Sequence, residues 1–135
     1  MKVAIFGSRT LTREADSEFI EKEIKAFLET NKVDYFLIPG GIEGVCDQAL
    51  KIVSKMIIPV ILYFYDRSIA SKWGRIRSIT ERTKKIITEA DYFLFFHDGE
   101  SKGTIWDLKQ VKKAKKLYSF FEIQRDEEDM LAIIE

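Results

Sequence analysis

The sequence has few of the residues that build covalent cross-links and metal sites, since it contains a single cysteine, Cys46, and a single histidine, His97. One cysteine cannot form an intrachain disulfide, and a zinc site made of four thiolates is excluded. We therefore expect no bound metal and no cofactor. The low cysteine content is typical of a protein of the reducing cytoplasm, where we expect this chain to work.

Proline and long apolar runs are also scarce. The only prolines are Pro39 and Pro59, and no repeat, low-complexity segment or linker interrupts the chain. Residues 1–135 are therefore expected to form a single domain. The longest apolar run, Met56–Tyr65, contains a proline and is about half as long as a membrane helix. Because Lys2–Phe6 also lacks the layout of a leader peptide, we expect no contact with a membrane.

The chain has no excess of either charge sign, with 22 basic and 22 acidic residues. This balance does not predict a polyanionic partner, because nucleic-acid-binding domains usually carry net positive charge. Basic residues do cluster at residues 67–77 and 109–116, which leaves a single-stranded nucleic-acid module as an alternative. The lysines of the second cluster are spread around a predicted helix, as expected for a solvated surface.

Five short apolar runs alternate with charged, amphipathic segments. Each run has β-branched or aromatic residues at consecutive positions, which indicates a strand buried on both faces. The predicted strands are Val3–Phe6, Tyr35–Ile38, Ile57–Phe64, Tyr92–Phe96 and Leu117–Phe121. The predicted helices cover residues 13–30, 44–55, 79–89 and 105–115, with a short terminal helix after Asp126. This alternation predicts an α/β, three-layer Rossmann-like fold with a five-stranded, mainly parallel sheet and helices on both faces.

The segment Tyr65–Ser78 differs from the rest of the chain. It carries four cationic side chains and Trp73 around one glycine, and it has little apolar periodicity. We interpret it as a long loop, and long loops inside compact domains are often functional. Trp73 and Trp106 are both candidates for stacking a base, although tryptophans beside glycine loops more often anchor packing.

Three clusters of small and polar residues follow predicted strands at their carboxyl ends, where open parallel sheets bind ligands. Glycine there lets the backbone approach a ligand, and the N-terminus of the following helix favours an anion. The hydroxyl groups and an arginine add donors. These features predict a phosphate or ribose site made of Gly7, Ser8 and Arg9, of Gly40, Gly41 and Gly44, and of Ser101, Gly103 and Thr104.

The order of these motifs resembles the SLOG superfamily, which includes the Lonely Guy phosphoribohydrolases and the Rossmann domain of DNA-processing protein A. The likeness covers nearly the whole chain up to the fifth strand, from Gly7–Thr10 through Gly40–Asp47 to Gly103–Asp107. The resemblance implies that the chain binds a nucleotide or a nucleotide-derived ligand, with Asp47 among the binding residues. It also implies a homodimer.

The same resemblance implies two catalytic residues. Arg82, nine positions before Asp91, matches an arginine of the family, and Asp107 stands where the family has the glutamate that takes part in N-glycosidic cleavage. A carboxylate there would stabilise the positive charge that develops on the ribose. However, aspartate is one methylene shorter, and His97–Lys102 replaces the family's Pro-Gly-Gly. Both a hydrolase of nucleoside 5′-monophosphates and a non-enzymatic sensor or carrier therefore remain open.

A nucleoside 2-deoxyribosyltransferase-like enzyme is a further alternative. Such proteins also combine a flavodoxin-like sheet with a late glycine–threonine–acid segment, which Gly103–Asp107 resembles. They lack a Gly-Gly-x-x-Gly loop after the second strand, so the Pro39–Asp47 segment argues against this alternative.

Overall fold

The computed structural model describes residues 1–123, in which five strands alternate with four helices. The strands are β1 (Lys2–Gly7), β2 (Tyr35–Pro39), β3 (Val60–Tyr63), β4 (Tyr92–His97) and β5 (Leu117–Glu122). The helices are α1 (Glu14–Thr30), α2 (Val45–Val53), α3 (Lys72–Glu89) and α4 (Lys102–Lys113). The predicted α/β Rossmann-like fold is confirmed. The predicted terminal helix after Asp126 lies outside the described residues.

The sheet has the strand order β3-β2-β1-β4-β5, and every neighbouring pair is parallel. From β1 the chain runs outward through β2 to β3, and α3 then carries it back across the sheet to β4 on the other side of β1. The carboxyl ends of β1 and β4 therefore lie at the point where the strand order reverses. In open parallel sheets this is the place where ligands bind.

The central strands bury both of their faces, which explains their consecutive apolar residues. In β4, Leu94 and Phe96 pack in the core beneath α1 and α2, whereas Phe93 and Phe95 pack in the core beneath α3 and α4. Successive residues of a strand point to opposite faces, so a continuous apolar run serves two helical layers at once. The result is a three-layer arrangement with the sheet in the middle.

The helices are amphipathic rather than apolar on all sides. The longest, α1 and α3, have 17 and 18 residues. Of these, α1 buries Ile20 and Ile24, and α3 buries Ile86 and Ile87. Most of the charged residues of these two helices lie on their outer, solvent-facing sides. Within residues 1–123, no helix is long and apolar enough to cross a membrane.

The structure corrects several predicted element bounds. The third strand covers only Val60–Tyr63 of the predicted Ile57–Phe64, and Ile57 is exposed. Two further corrections concern the cleft described below. The prediction of a loop at Tyr65–Ser78 is wrong in its second half, because α3 already begins at Lys72. Ser71 caps this helix by accepting a hydrogen bond from the N–H of Gly74 at 3.0 Å. The fourth helix begins at Lys102 rather than at residue 105, which brings three further residues into its first turn.

Candidate functional site

A cleft of about 770 Å³ opens at the carboxyl edge of the sheet, where the strand order reverses. The end of β1, at Phe6 and Gly7, contributes to its lining. One wall comes from α3, and another comes from α4 with the loop before it. The cleft has the volume and the location expected of a pocket for a small organic molecule.

Arg82 contributes a buried positive charge to this cleft. The residue is only 7% exposed, and its Nε and Nη1 atoms have no hydrogen-bond partner among residues 1–123. Its guanidinium carbon lies 5.6 Å from the centre of the Tyr65 ring. Burial lowers the pKa of Arg82, an effect opposed by Cys46 and Asp107, but an arginine stays charged at neutral pH. A buried charged donor without an acceptor is costly, and an anion in the cleft that Arg82 lines would bring a compensating negative charge.

Asp107 reaches the same cleft from α4 and is partly buried. Burial raises the pKa of its carboxyl group to about 7, although the positive charge of Arg82 opposes this shift. Both protonation states are therefore populated near neutral pH. A carboxyl group with such a pKa is suited to proton transfer or to stabilising a developing positive charge. The two predicted catalytic residues thus meet in one cleft.

The loop between β4 and α4 is tied to the end of β1 through Asp98. Its carboxylate accepts a hydrogen bond from Thr10 Oγ1 at 2.5 Å and from the N–H groups of Glu100 and Ser101 at 2.8 and 2.7 Å. Its own N–H donates to Ser8 Oγ at 3.1 Å. Burial raises the pKa of Asp98, but these hydrogen bonds outweigh burial and hold the pKa at about 2. Two N–H groups of the loop are therefore already used by this carboxylate.

The first turn of α4 faces the cleft. Ser101 is the N-cap residue, and its side chain makes no capping hydrogen bond within the described part of the chain. Ser101, Gly103 and Thr104 all line the cleft. Apart from its chain neighbours and the backbone of its own helix, a Cβ atom placed on Gly103 would have no described heavy atom within 4 Å, so the space beside it is open. The N–H groups of a first helical turn and the helix dipole favour an anion.

Other predicted glycines serve the packing of the sheet edge. A Cβ atom on Gly7 would lie 2.5 Å from the side chain of Val45. A Cβ atom on Gly44 would lie 2.4 Å from the carbonyl oxygen of Ser8, and the φ of Gly44 is +81°. Only glycine adopts this backbone conformation without strain. Close contact between the end of β1 and the start of α2 therefore explains both glycines without a ligand.

The structure divides the predicted site residues into two groups. Those that line the cleft are Gly7, Arg9, Arg82, Ser101, Gly103, Thr104 and Asp107. Those that do not line it are Ser8, Gly40, Gly41, Gly44 and Asp47. Asp47 is exposed and forms an ion pair with Lys51 at 3.1 Å. The second glycine motif contributes to the cleft mainly through its neighbours Pro39 and Ile42.

Sequence reasoning missed several cleft residues. Thr10 and Asp98 lie in the loops that the sequence indicated, but no role was predicted for them, although an aspartate before a glycine at a strand end is typical of a turn that its carboxylate stabilises. Ile76 and Ile79 were assigned to a loop or to a helix start. Ile76, Ile79 and Thr80 stand at positions i, i+3 and i+4, which was the available signal for the cleft wall formed by α3.

His97 is held by the backbone at the end of β4. Its Nδ1 accepts a hydrogen bond from the N–H of Gly99 at 3.1 Å. Its Nε2 lies 2.9 Å from the carbonyl oxygen of Ser101 and therefore donates to it, which fixes a neutral tautomer. Residues 1–123 contain no group of three or more histidine, cysteine or acidic side chains that could hold a metal ion.

A second concavity of about 600 Å³ adjoins the start of α4 and the end of β5. Lys102, Lys109 and Glu122 line it, together with Trp106. Trp106 also lines the main cleft, so its side chain borders both concave surfaces.

Comparison with known proteins relates the chain to others by fold. No protein-family model matches it, and no curated protein matches it in sequence. Among solved structures, it is similar to the molybdenum cofactor carrier protein of Chlamydomonas reinhardtii, with a TM-score of 0.67 and 17% identity. The alignment covers 99% of this chain and 84% of that protein. The structural likeness establishes a shared Rossmann-like fold, and the low identity limits the conclusion to the fold.

Proposed function

We propose that this chain binds a nucleotide or a nucleotide-derived molecule in the main cleft, with the phosphate directed toward Arg82 and the first turn of α4. The observation that carries this proposal is the buried guanidinium of Arg82, whose Nε and Nη1 atoms have no partner among residues 1–123. A phosphate in the cleft would bring negative charge beside this buried guanidinium group and so compensate for its burial. Arg9 adds a second positive charge to the lining.

The resemblance to the SLOG superfamily supports this assignment, since it predicted nucleotide binding at the same sheet edge. The molybdenum cofactor carrier protein supports small-molecule binding in general, because it has a similar fold and is named as the carrier of a cofactor. A carrier or sensor role fits this cleft, because Arg82, Arg9 and the first turn of α4 are suited to binding an anion, whereas Asp107 is the residue proposed for catalysis. The homodimer, the cytoplasmic location and the single-stranded nucleic-acid alternative stay predictions.

A second candidate function is hydrolysis of the N-glycosidic bond of a nucleoside 5′-monophosphate. The observation that favours it is the carboxyl group of Asp107, which shares the cleft with Arg82 and has a pKa of about 7. Above that pH the carboxylate form predominates and would stabilise positive charge on the ribose. The reaction requires the anomeric carbon to lie beside Asp107 while the phosphate lies at Arg82.

Binding is tested by calorimetric titration and thermal-shift measurements with nucleoside mono-, di- and triphosphates, ADP-ribose and short single-stranded DNA. A ligand at about a hundred times its Kd adds roughly 2.7 kcal/mol of apparent stability. Arg82→Met should abolish binding while keeping the volume of the side chain. Arg77→Met is the matched control, because Arg77 lies on the same helix, is exposed and does not line the cleft. Equal affinity in the two variants would refute the proposed site.

Hydrolysis is tested by measuring free base released from nucleoside 5′-monophosphates between pH 6 and 9. Release by the wild type and its loss in Asp107→Asn would support the hydrolase. Tight binding without any released base would favour the carrier or sensor. Base release that persists in Asp107→Asn would show that this carboxyl group is not the catalytic one.

A further inference from the structure

Trp106 is unusually exposed for a large aromatic residue in the middle of a helix. It lies in α4, lines the main cleft and is 39% exposed. Its neighbours one turn earlier and one position later, Gly103 and Asp107, line the same cleft. This helix therefore presents an aromatic face, an open glycine and a carboxyl group to a single space.

The space beside Gly103, one turn before the tryptophan, is open, and the α3 wall of the cleft includes two isoleucines. No described heavy atom lies within 4 Å of a Cβ atom placed on Gly103. From α3, Ile76 and Ile79 line the cleft, and Ile76 is 41% exposed. An aromatic surface on one helix and aliphatic side chains on the other leave apolar area exposed on both sides of the opening, which a flat ring can cover.

The cleft is charged at its buried end and more apolar near its opening. Its most buried charged lining residue, Arg82, is 7% exposed, whereas Ile76 and Trp106 are 41% and 39% exposed. A ligand that satisfies both regions carries an anion at its inner end and a flat, weakly polar group nearer the opening. A sugar phosphate satisfies the inner region alone.

We propose that Trp106 stacks on a planar heteroaromatic ring of the ligand and thereby selects base-containing phosphates over sugar phosphates. This inference rests on the proposed function, because it assigns the second half of a ligand whose phosphate lies at Arg82. Stacking on an aromatic side chain accepts any base, since every base has a π face. Trp106 thus selects ligands that contain a base over ligands that do not, and it does not distinguish one base from another.

The experiment uses the two tryptophans of the chain as separate reporters. Trp73 is 76% exposed and does not line the cleft, so Trp73→Phe leaves Trp106 as the sole tryptophan without touching the site. Trp106→Phe leaves Trp73 as the sole tryptophan and keeps an aromatic face in the cleft. Tryptophan emission is measured during titration with AMP and with ribose 5-phosphate, and calorimetry supplies the Kd values.

We expect AMP to quench the emission of Trp106 in the Trp73→Phe protein and to leave the emission of Trp73 unchanged in the Trp106→Phe protein. Trp106→Ala should weaken AMP binding about tenfold or more, the loss expected for one stacked base. The affinity for ribose 5-phosphate should change less than about twofold. Trp106→Phe should retain most of the affinity for AMP, because it restores an aromatic face.

Lys109→Ala controls for the second concavity, since Lys109 lines that surface and not the main cleft. Its affinity for AMP should equal that of the wild type. A loss of affinity in Lys109→Ala would place the ring outside the main cleft and overturn the proposal.

Equal loss of affinity for AMP and for ribose 5-phosphate in Trp106→Ala would also overturn the proposal, since a packing role affects both ligands. If the wild type binds neither AMP nor any other nucleotide of the titrations described above, the proposed function fails and the stacking proposal fails with it. If it binds AMP and ribose 5-phosphate without quenching of Trp106, only the stacking proposal fails.

Discussion

Replacing Gly103 with alanine should stabilise the protein and weaken its ligand binding at the same time. Gly103 is the second residue of α4, its φ is not positive, and a Cβ atom there meets no described atom within 4 Å. An alanine that fits the native backbone stabilises a protein by about 0.4–1 kcal/mol, because it restricts the unfolded chain. For a domain of this size, that change corresponds to about 1–4 °C in Tm.

The added methyl group would occupy space in the cleft beside the first turn of α4, where the proposed phosphate binds. Placing a methyl group in a filled site costs about 1–3 kcal/mol, so we expect the affinity for AMP to fall about tenfold. A substitution that improves the helix should therefore impair the site.

Gly44→Ala is the matched comparison, because it makes the same chemical change where the backbone forbids it. Gly44 has φ +81° and ψ −135°, and a Cβ atom there would lie 2.4 Å from the carbonyl oxygen of Ser8. Backbone strain and overpacking together should cost about 3 kcal/mol or more, which lowers Tm by about 10 °C.

Scanning calorimetry and AMP titration of the two variants measure these effects. A lower Tm for Gly103→Ala would show that the space beside α4 is not open. An unchanged affinity for AMP in that variant would refute the position assigned to the phosphate. A Gly44→Ala protein as stable as the wild type would refute the reasoning about the contact between β1 and α2.

Three further predictions follow from individual side chains. Asp107→Asn should raise the free energy of unfolding by about 2 kcal/mol at pH 8 and leave it unchanged near pH 4. Burial raises the pKa of the Asp107 carboxyl group in the folded state from 3.8 to about 7. The wild type therefore loses stability as the pH rises from 3.8 to about 7, whereas the neutral asparagine does not. Asp98→Ala should lower stability at pH 7 by about 2–3 kcal/mol, since the carboxylate accepts three hydrogen bonds. Its contribution is lost as pH falls from 3.8 toward 2, so the variant should be less sensitive to acid. Cys46 should not react with a disulfide reagent at pH 8 in the native protein, because burial raises the pKa of its thiol to about 12.

Each of these predictions has its own control. In urea unfolding, the gain in stability of Asp107→Asn over the wild type should disappear as the pH falls from 8 to 4, and a gain of equal size at both pH values would contradict the explanation by a buried carboxylate. Thr10→Val removes one donor to Asp98, so calorimetry should find a smaller loss than in Asp98→Ala; an equal or larger loss contradicts the assigned network. Cys46 should react stoichiometrically once the protein is unfolded in guanidinium chloride. Fast reaction of the native thiol would mean that Cys46 is accessible.

The layered fold could be predicted from the sequence because its strands are short and apolar at consecutive positions. Phe93–Phe96 must be buried on both faces, and only a sheet covered by helices on both sides achieves that. The ends of helices were harder to predict. Around Trp73 and Gly74, local propensity opposed a helix, and the stabilising contacts of α3 lie further along the chain.

The candidate site was predictable in its location but not in its details. Parallel topology brings the loops after β1 and β4 to one edge, so Gly7, Arg9 and Gly103 could be grouped before the structure was known. The separation of Asp47 from the cleft depends on the direction in which α2 begins, and a motif does not encode that direction. The network of Asp98 joins positions some 90 residues apart, and no local pattern signals such a partner.

The pairing of β1 with β4 also determines when the cleft can exist during synthesis. Val3 pairs with Tyr92, so one edge of β1 must wait until most of the chain has left the ribosome. Meanwhile β2 can pair with the other edge of β1, and β3 can pair with β2, leaving Ala4 and Phe6 of the nascent chain uncovered on the face where α3 and α4 will pack. An unpaired, apolar strand edge favours association with other chains during this interval. The cleft forms only once β4 and α4 have joined β1 and α3, so a bound ligand would report that these late elements have reached their places.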